Sequence, residues 1–262
     1  MATMFLLQHC PRMWPHSIAL HRSCHFVSTQ NVKSNDDAEL KDKLKQSEAI
    51  IQQARSLYSP DELMLCFNGG KDCTVLLDLL SRQLNNSAPL RAVCVKSHDP
   101  FEEVEQFIDS SIERYALELQ RYHGALKMAI EQVLAEHPQV RAMFLGCRRS
   151  DPGCEKLSRM MPCDNGWPSL MRIFPLLDWS YHDIWNYLRS QKLPYCSLYD
   201  QGYTSLGERS STRVNPSLLV YDEQLRKLIY RPAYELQDDK LERANREDAQ
   251  LVHLARQHHQ NP

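Results

Sequence analysis

The chain has 262 residues and a formal net charge of −2, enough for one sizeable domain with appendages or at most two small ones. Near-neutral charge gives no support for bulk binding to nucleic acid or to a membrane surface, and no apolar run is long enough to span a bilayer. The nine cysteines are scattered without a Cys-x-x-Cys, so neither a zinc ribbon nor a redox pair is indicated, and reduced, mostly buried thiols of an intracellular protein are expected.

Residues 1–35 stand apart from the rest. Arg12, Arg22 and Lys33 are basic, histidines and serines are frequent, and no acid precedes Asp36. This composition fits a mitochondrial transit peptide and a disordered extension equally, so the expected compartment is the cytoplasm or, equally, the mitochondrial matrix. Residues 36–247 are read as the folded domain and 248–262 as a tail with a short helix and a His-rich end. From Asp36 to Leu57, Leu40, Leu44, Ile51 and Ala54 recur at near-helical spacing, and Tyr58-Ser59-Pro60-Asp61 ends the helix.

Strands and helices then alternate. Leu63 to Phe67 reads as a buried strand and Cys73 to Leu84 as a helix. Leu90 to Val95 is a second strand, Pro100 to Ala116 a helix, Leu117 to Arg121 a short strand, Gly124 to Glu136 a helix, and Val140 to Leu145 another buried strand. The alternation predicts an α/β fold with right-handed βαβ units: a Rossmann-like, mostly parallel sheet with helices on both faces. Ligands of such sheets bind at the carboxyl ends of strands, which singles out the loops after Phe67 and Leu145.

The first loop is Phe67-Asn68-Gly69-Gly70-Lys71-Asp72-Cys73-Thr74. A glycine pair between strand and helix presents bare N–H groups at a helix N-terminus, where phosphate is favoured. Lys71 adds a mobile cation. Asp72 is odd for a pure anion site, and an acid beside a phosphate cradle suggests a bridging metal ion. An ordinary strand-to-helix turn is the plain alternative, and the Walker A and G-x-G-x-x-G spacings are absent. The second loop is Gly146-Cys147-Arg148-Arg149-Ser150-Asp151-Pro152-Gly153. Two arginines leaving a buried strand meet either an anion or local acids such as Asp151. Their place on the same sheet edge favours phosphate.

Residues 154–169 read as irregular and contain Asp164 and Trp167. Trp167 is read first as core and second as a stacking platform. Leu170 to Phe174 is a strand, and Ser180, with Asp183 three residues on, caps a helix containing Ile184, Trp185, Tyr187 and Leu188. Leu193 to Arg213 is loop-rich. Arg243 and Arg246 share a face if their segment is helical, with a solvated charged face as the default reading.

Taken together, the ordered motifs resemble the eukaryotic FAD synthases, the FMN adenylyltransferases of the phosphoadenylylsulfate-reductase-like fold. The first loop is similar to the S-G-G-x-D-S pyrophosphate loop, with Asn68 and Cys73 in the serine positions. The match continues through Gly146 to Pro152, Gly166-Trp167-Pro168, Met171 to Ile173, Pro175 to Tyr181 with Asp183 to Trp185, Pro194 to Cys196 with Leu198 to Asp200, Gly202 to Gly207, and Tyr230 to Tyr234, and covers roughly residues 45–247. The resemblance implies an adenine nucleotide alpha-hydrolase-like fold, with FMN and ATP as substrates, FAD and pyrophosphate as products, and Mg2+ near Asp72. It implies an ATP site at Phe67, Asn68, Gly69, Gly70, Lys71, Asp72 and Cys73. FMN would be held by Arg148, Arg149, Asp151, Asp164, Trp167, Arg243 and Arg246. Asn68, Lys71, Asp72, Asp151, Arg243 and Arg246 would serve the reaction.

Departures are few. Asn245 replaces the glycine of the family's Glu-Arg-Ala-Gly-Arg ending, a change an αL-tolerant Asn would permit. Cys154 to Met161 follows no family pattern. No molybdopterin-binding-like domain is visible, so a single-domain form is expected. Hand-over of FAD to apoflavoproteins is a further expected partnership; nucleic acid and membrane are not expected. The rival enzyme is a phosphoadenylylsulfate reductase, which needs a C-terminal cysteine; none follows Cys196. Other ATP pyrophosphatases and a non-catalytic flavin-binding protein are the remaining alternatives.

Overall fold

The computed structural model describes residues 29–84, 89–163 and 166–246, with backbone alone over 29–37 and at 84. Strands β1 (Leu63–Cys66), β2 (Arg91–Lys96), β3 (Glu118–His123), β4 (Ala142–Phe144), β5 (Met160–Pro162) and β6 (Met171–Ile173) form one sheet in the order β3-β2-β1-β4-β6-β5. All neighbours pair in parallel except β5, which runs antiparallel to β6. The chain moves outward from β1 to β2 and β3, then returns to place β4 on the other side of β1. That reversal opens a crevice at the carboxyl ends of β1 and β4.

Alternate side chains of the strands serve opposite faces. Leu63, Leu65, Phe67, Ala92 and Cys94 join the larger core. It is covered by α1 (Thr29–Leu57), α2 (Lys71–Leu84), α3 (Glu102–Tyr115) and α5 (Tyr181–Ser190). Met64, Val93 and Met143 join a second core with Ala129, Ile130 and Val133 of α4 (Leu126–Glu136). Helix α1 begins before the expected Asp36 and is tied to the α5 region by polar contacts. Ser47 donates to the Pro175 carbonyl at 2.7 Å and accepts from Trp179 Nε1 at 2.9 Å. The cap on α5 is as expected: Asp183 N–H donates to Ser180 Oγ at 3.1 Å, and Ser180 N–H to Asp183 Oδ2 at 2.7 Å. Among the described residues no helix is long and apolar enough to cross a membrane.

Three expectations fail, and one element, a hairpin, has no counterpart among them. Residues 154–169 are not wholly irregular, because 160–162 form the edge strand β5. A two-stranded hairpin, β7 (Leu219–Asp222) with β8 (Lys227–Tyr230), follows the loop-rich stretch. The segment carrying Arg243 and Arg246 is a 3-10 turn, Asp239–Leu241, followed by further turns, so the two arginines do not share a helical face. Asn245 is not in the left-handed region either. It is buried and donates to the carbonyls of Ser205 at 2.8 Å and Arg213 at 2.9 Å. The extension before residue 29 and the tail after 246 lie outside the described residues.

Candidate active site

The loops leaving β1 and β4 meet because glycine lets them. Gly69 has φ +73°, and a Cβ there would lie 2.9 Å from Ile108 Cγ1. A Cβ on Gly146 would stand 3.0 Å from the backbone nitrogen of Cys73, so the first turn of α2 would have to shift to make room. Lys71 and Asp72 are the first residues of α2 rather than loop. Asn68 is exposed, and its side-chain oxygen accepts the Gly70 N–H at 3.0 Å. Tyr199 Oη accepts the Lys71 N–H at 3.0 Å.

Two cavities flank this loop and share Asn68, Gly70 and Leu206. The larger, about 390 Å³, lies between the end of β2 and α3, with Phe101, Val104, Ile108 and Arg246 in its wall. The smaller, about 240 Å³, is walled by Asp72, Asp151, Tyr199, Ser205, Glu242 and Arg243.

Behind the smaller cavity lies a buried charge cluster. Lys71 is 2% exposed and Arg148 1%. Lys71 Nζ reaches Asp72 at 3.0 Å and Glu242 at 2.5 Å, and lies 5.2 Å from the Tyr181 ring centre. Arg148 Nη2 contacts both Glu242 oxygens at 2.7 Å and Asp151 at 3.3 Å. Its Nε is 2.7 Å from Asp72 Oδ1, although neither atom has a hydrogen-bond partner of proper geometry. Burial opposes ionisation of Asp72, but Lys71 and Arg148 outweigh it and hold the carboxyl below its ordinary range. Burial wins at Asp151, whose carboxyl is pushed up despite Arg148. Burial also pushes up the thiols of Cys66, Cys73 and Cys147 along the smaller cavity.

This geometry corrects two readings of the cations. Lys71 is not mobile; it is clamped between two carboxylates. Arg149 does not face the crevice: it pairs with Asp178 at 2.8 Å and donates to the carbonyls of Glu155 and Leu157. The plain reading of a basic turn met by local acids therefore describes Arg149, and Arg148 is likewise held by carboxylates. Trp167 is 39% exposed rather than core. Asp164 lies outside the described residues.

Arg243 and Arg246 come together on Ser205, each with a nitrogen 3.5 Å from its hydroxyl oxygen. Arg246 also donates to the Leu206 carbonyl at 2.7 Å. Its guanidinium lies on Gly207, where any Cβ would overlap it. Among the described residues no carboxylate forms an ion pair with either arginine. Burial and the neighbouring Arg243 charge lower the Arg246 pKa, and the Glu208 carboxylate offsets part of that. Tyr199, Ser205, Gly207 and Glu242 also belong to the site, and none of them carries a role among the sequence-based expectations. The available signal for Glu242 was its place immediately before Arg243 in the Glu-Arg-Ala-Asn-Arg stretch.

Among the described residues, no group of three or more His, Cys, Asp or Glu could hold a metal ion. Asp72 lines the smaller cavity as a lone carboxylate, its Oδ1 2.7 Å from Arg148 Nε and its Oδ2 3.0 Å from Lys71 Nζ. These residues fit a metal of the magnesium type, which is commonly held by one or two carboxylates and substrate phosphates. They do not fit a preformed cage.

Fold and site together define an α/β protein with a glycine loop at the switch point of a parallel sheet, where such folds bind their ligands. The model of the phosphoadenosine phosphosulfate reductase domain matches residues 62–138 and 120–214. The probable FAD synthase of Schizosaccharomyces pombe is 37% identical over 237 residues, which cover 87% of this chain and 87% of that protein. The probable FAD synthase of Caenorhabditis elegans is 36% identical over 218 residues, 81% of this chain and 42% of that protein. The chain thus spans about two fifths of the length of the worm relatives. The crystal structure of Candida glabrata FMN adenylyltransferase with FMN and the ATP analogue AMPCPP superposes with a TM-score of 0.75 at 29% identity, covering 80% of this chain and 88% of that one. The chain belongs to the phosphoadenosine phosphosulfate reductase domain family, in its FAD synthase branch.

Proposed function

We propose that this chain is an ATP:FMN adenylyltransferase. The observation that carries the reading is the pair of cavities meeting at Asn68 and Gly70, with Arg246 on one side and Arg243 on the other. The relatives' names and the FMN complex of the Candida glabrata protein support it. The larger cavity takes the adenosine end of ATP against Phe101, Val104 and Ile108. The smaller takes the FMN phosphate beside Arg243. A terminal phosphate oxygen of FMN attacks the α-phosphorus of ATP, a new P–O bond forms, and the bond to the β-phosphate bridging oxygen breaks. The nucleophile is already anionic, so catalysis is positioning and charge neutralisation. The Gly69-Gly70 turn cradles the departing pyrophosphate, and Arg246 faces ATP's phosphates from the larger cavity. Lys71 and Arg148 keep Asp72 ionised and oriented from behind. Mg2+, held by Asp72 and substrate oxygens, would neutralise phosphate charge when bound.

Incubating the protein with FMN, ATP and Mg2+ should turn FMN into FAD. Cleavage of ATP without FAD formation would overturn the reading. Hand-over of FAD to apoflavoproteins is part of the same proposal; it should show as faster holoenzyme formation from an apoflavoprotein than free FAD supports. The acid-free residues 1–35 leave the cytoplasm and the mitochondrial matrix as equal proposals, and a reporter fused to them decides between the two.

A further inference from the structure

The segment that carries Arg243 and Arg246 is joined to the phosphate loop through one side chain. Glu242 is 8% exposed. Its carboxylate binds Lys71 at 2.5 Å and Arg148 at 2.7 Å through both oxygens. Its backbone carbonyl accepts the Thr204 hydroxyl at 2.6 Å, and Asn215 in turn donates to that hydroxyl oxygen at 2.8 Å. Buried cations left without a counter-charge are strongly destabilising. Asp72 and Asp151 supply part of that charge and, like Glu242, line the smaller cavity; their hold on Arg148 is the weaker one, because Asp72 Oδ1 makes no hydrogen bond of proper geometry to it and Asp151 reaches it only at 3.3 Å. Glu242 has both oxygens committed to them, and it comes from the far end of the chain.

We propose that Glu242 is the positioning residue of this site: it is the standing counter-ion of Lys71 and Arg148, and through them it sets Arg243 against the FMN cavity. The proposal rests on the adenylyltransferase reading for the identity of its ligand. It explains why an acid adjoins two arginines that otherwise face anions. A glutamine at 242 keeps the shape and loses the charge. An aspartate keeps the charge, but its shorter side chain has less reach to the two cations.

The test is a double-mutant cycle read on FMN affinity, by flavin fluorescence, in the full chain. Glu242→Gln and Arg243→Ala are each expected to weaken FMN binding at least about tenfold, and Glu242→Asp to recover part of that loss. The double variant Glu242→Gln/Arg243→Ala should bind within about threefold of Arg243→Ala alone, because residues acting as one unit are not additive. Multiplying losses, or wild-type affinity in folded Glu242→Gln, would overturn the proposal. If Glu242→Gln does not fold, Glu242→Asp takes its place in the cycle with a smaller expected loss, and losses that multiply with Arg243→Ala, or wild-type affinity in folded Glu242→Asp, would overturn the proposal. FAD formation by the wild type, measured alongside, tests the adenylyltransferase reading separately, since an inactive protein that still binds FMN leaves the cycle readable.

Discussion

Lys71 and Arg148 enter the site from behind the phosphate loop, Arg243 and Arg246 from the C-terminal segment, and the two pairs are held in different ways. The first pair is buried and contacted by Asp72, Asp151 and Glu242. Three carboxylates against two cations leave a surplus negative charge, so this cluster has no vacant cation to offer a phosphate. Among the described residues the side chains of the second pair hydrogen-bond the Ser205 hydroxyl and, through Arg246, the Leu206 carbonyl, and form no ion pair. A basic residue near a phosphate loop is thus not automatically a phosphate ligand. Its existing partners decide, because an ion pair already made must be broken before a new one forms.

The comparison predicts different failures for the two pairs. The largest effect is expected at Arg246: Arg246→Ala should lower kcat/KM for FAD formation by about 100-fold or more, with little change in melting temperature. A large fall in melting temperature with near-normal turnover would make this pair structural as well. Lys71→Met should do the reverse. It leaves Asp72 and Glu242 to share Arg148 and should lower unfolding free energy by about 3 kcal/mol in chemical denaturation, with a smaller loss of activity.

The carboxylates give a contrast in sign. Asp72 has a depressed folded pKa, so its stabilisation is present above the ordinary value of 3.8 and is lost as pH falls through the folded value. Asp72→Asn should therefore destabilise at neutral pH and approach the wild type in strong acid. Asp151 has a raised folded pKa, so its contribution becomes less favourable as pH rises from 3.8 through the folded value. Asp151→Asn should accordingly compare best with the wild type at neutral pH and worst in acid. Melting temperatures across pH read both. Equal pH dependence in the two variants would remove the contrast. The smallest effect is expected at exposed Trp167: Trp167→Ala should change KM for FMN by no more than about twofold, and a larger rise would restore it as a flavin platform.

Periodicity and strand–helix alternation made the parallel core legible, and the rule that ligands gather at strand carboxyl ends pointed to the right two loops. What escaped reading lacked a local signal. Strand β5 is three residues long and ends on Pro162 at the sheet edge, so no alternation could build up. The β7–β8 hairpin turns with Arg226 at φ +51°, without the Gly or Asn that usually announces such a turn. The partners of Lys71 and Arg148 were hidden for another reason. Glu242 lies 171 positions from Lys71 in the chain, and only the folded topology brings them together. Asn245 was legible as a departure but not as a cause. Burial and two side-chain hydrogen bonds, rather than a left-handed backbone, account for it.

The account requires attack at the α-phosphorus of ATP by the FMN phosphate, and isotope placement tests that most directly. With ATP labelled at the α-phosphate, every FAD formed should carry the label, and the pyrophosphate released should carry none. Label in free AMP without labelled FAD, or FAD formed without the α-label, would contradict it.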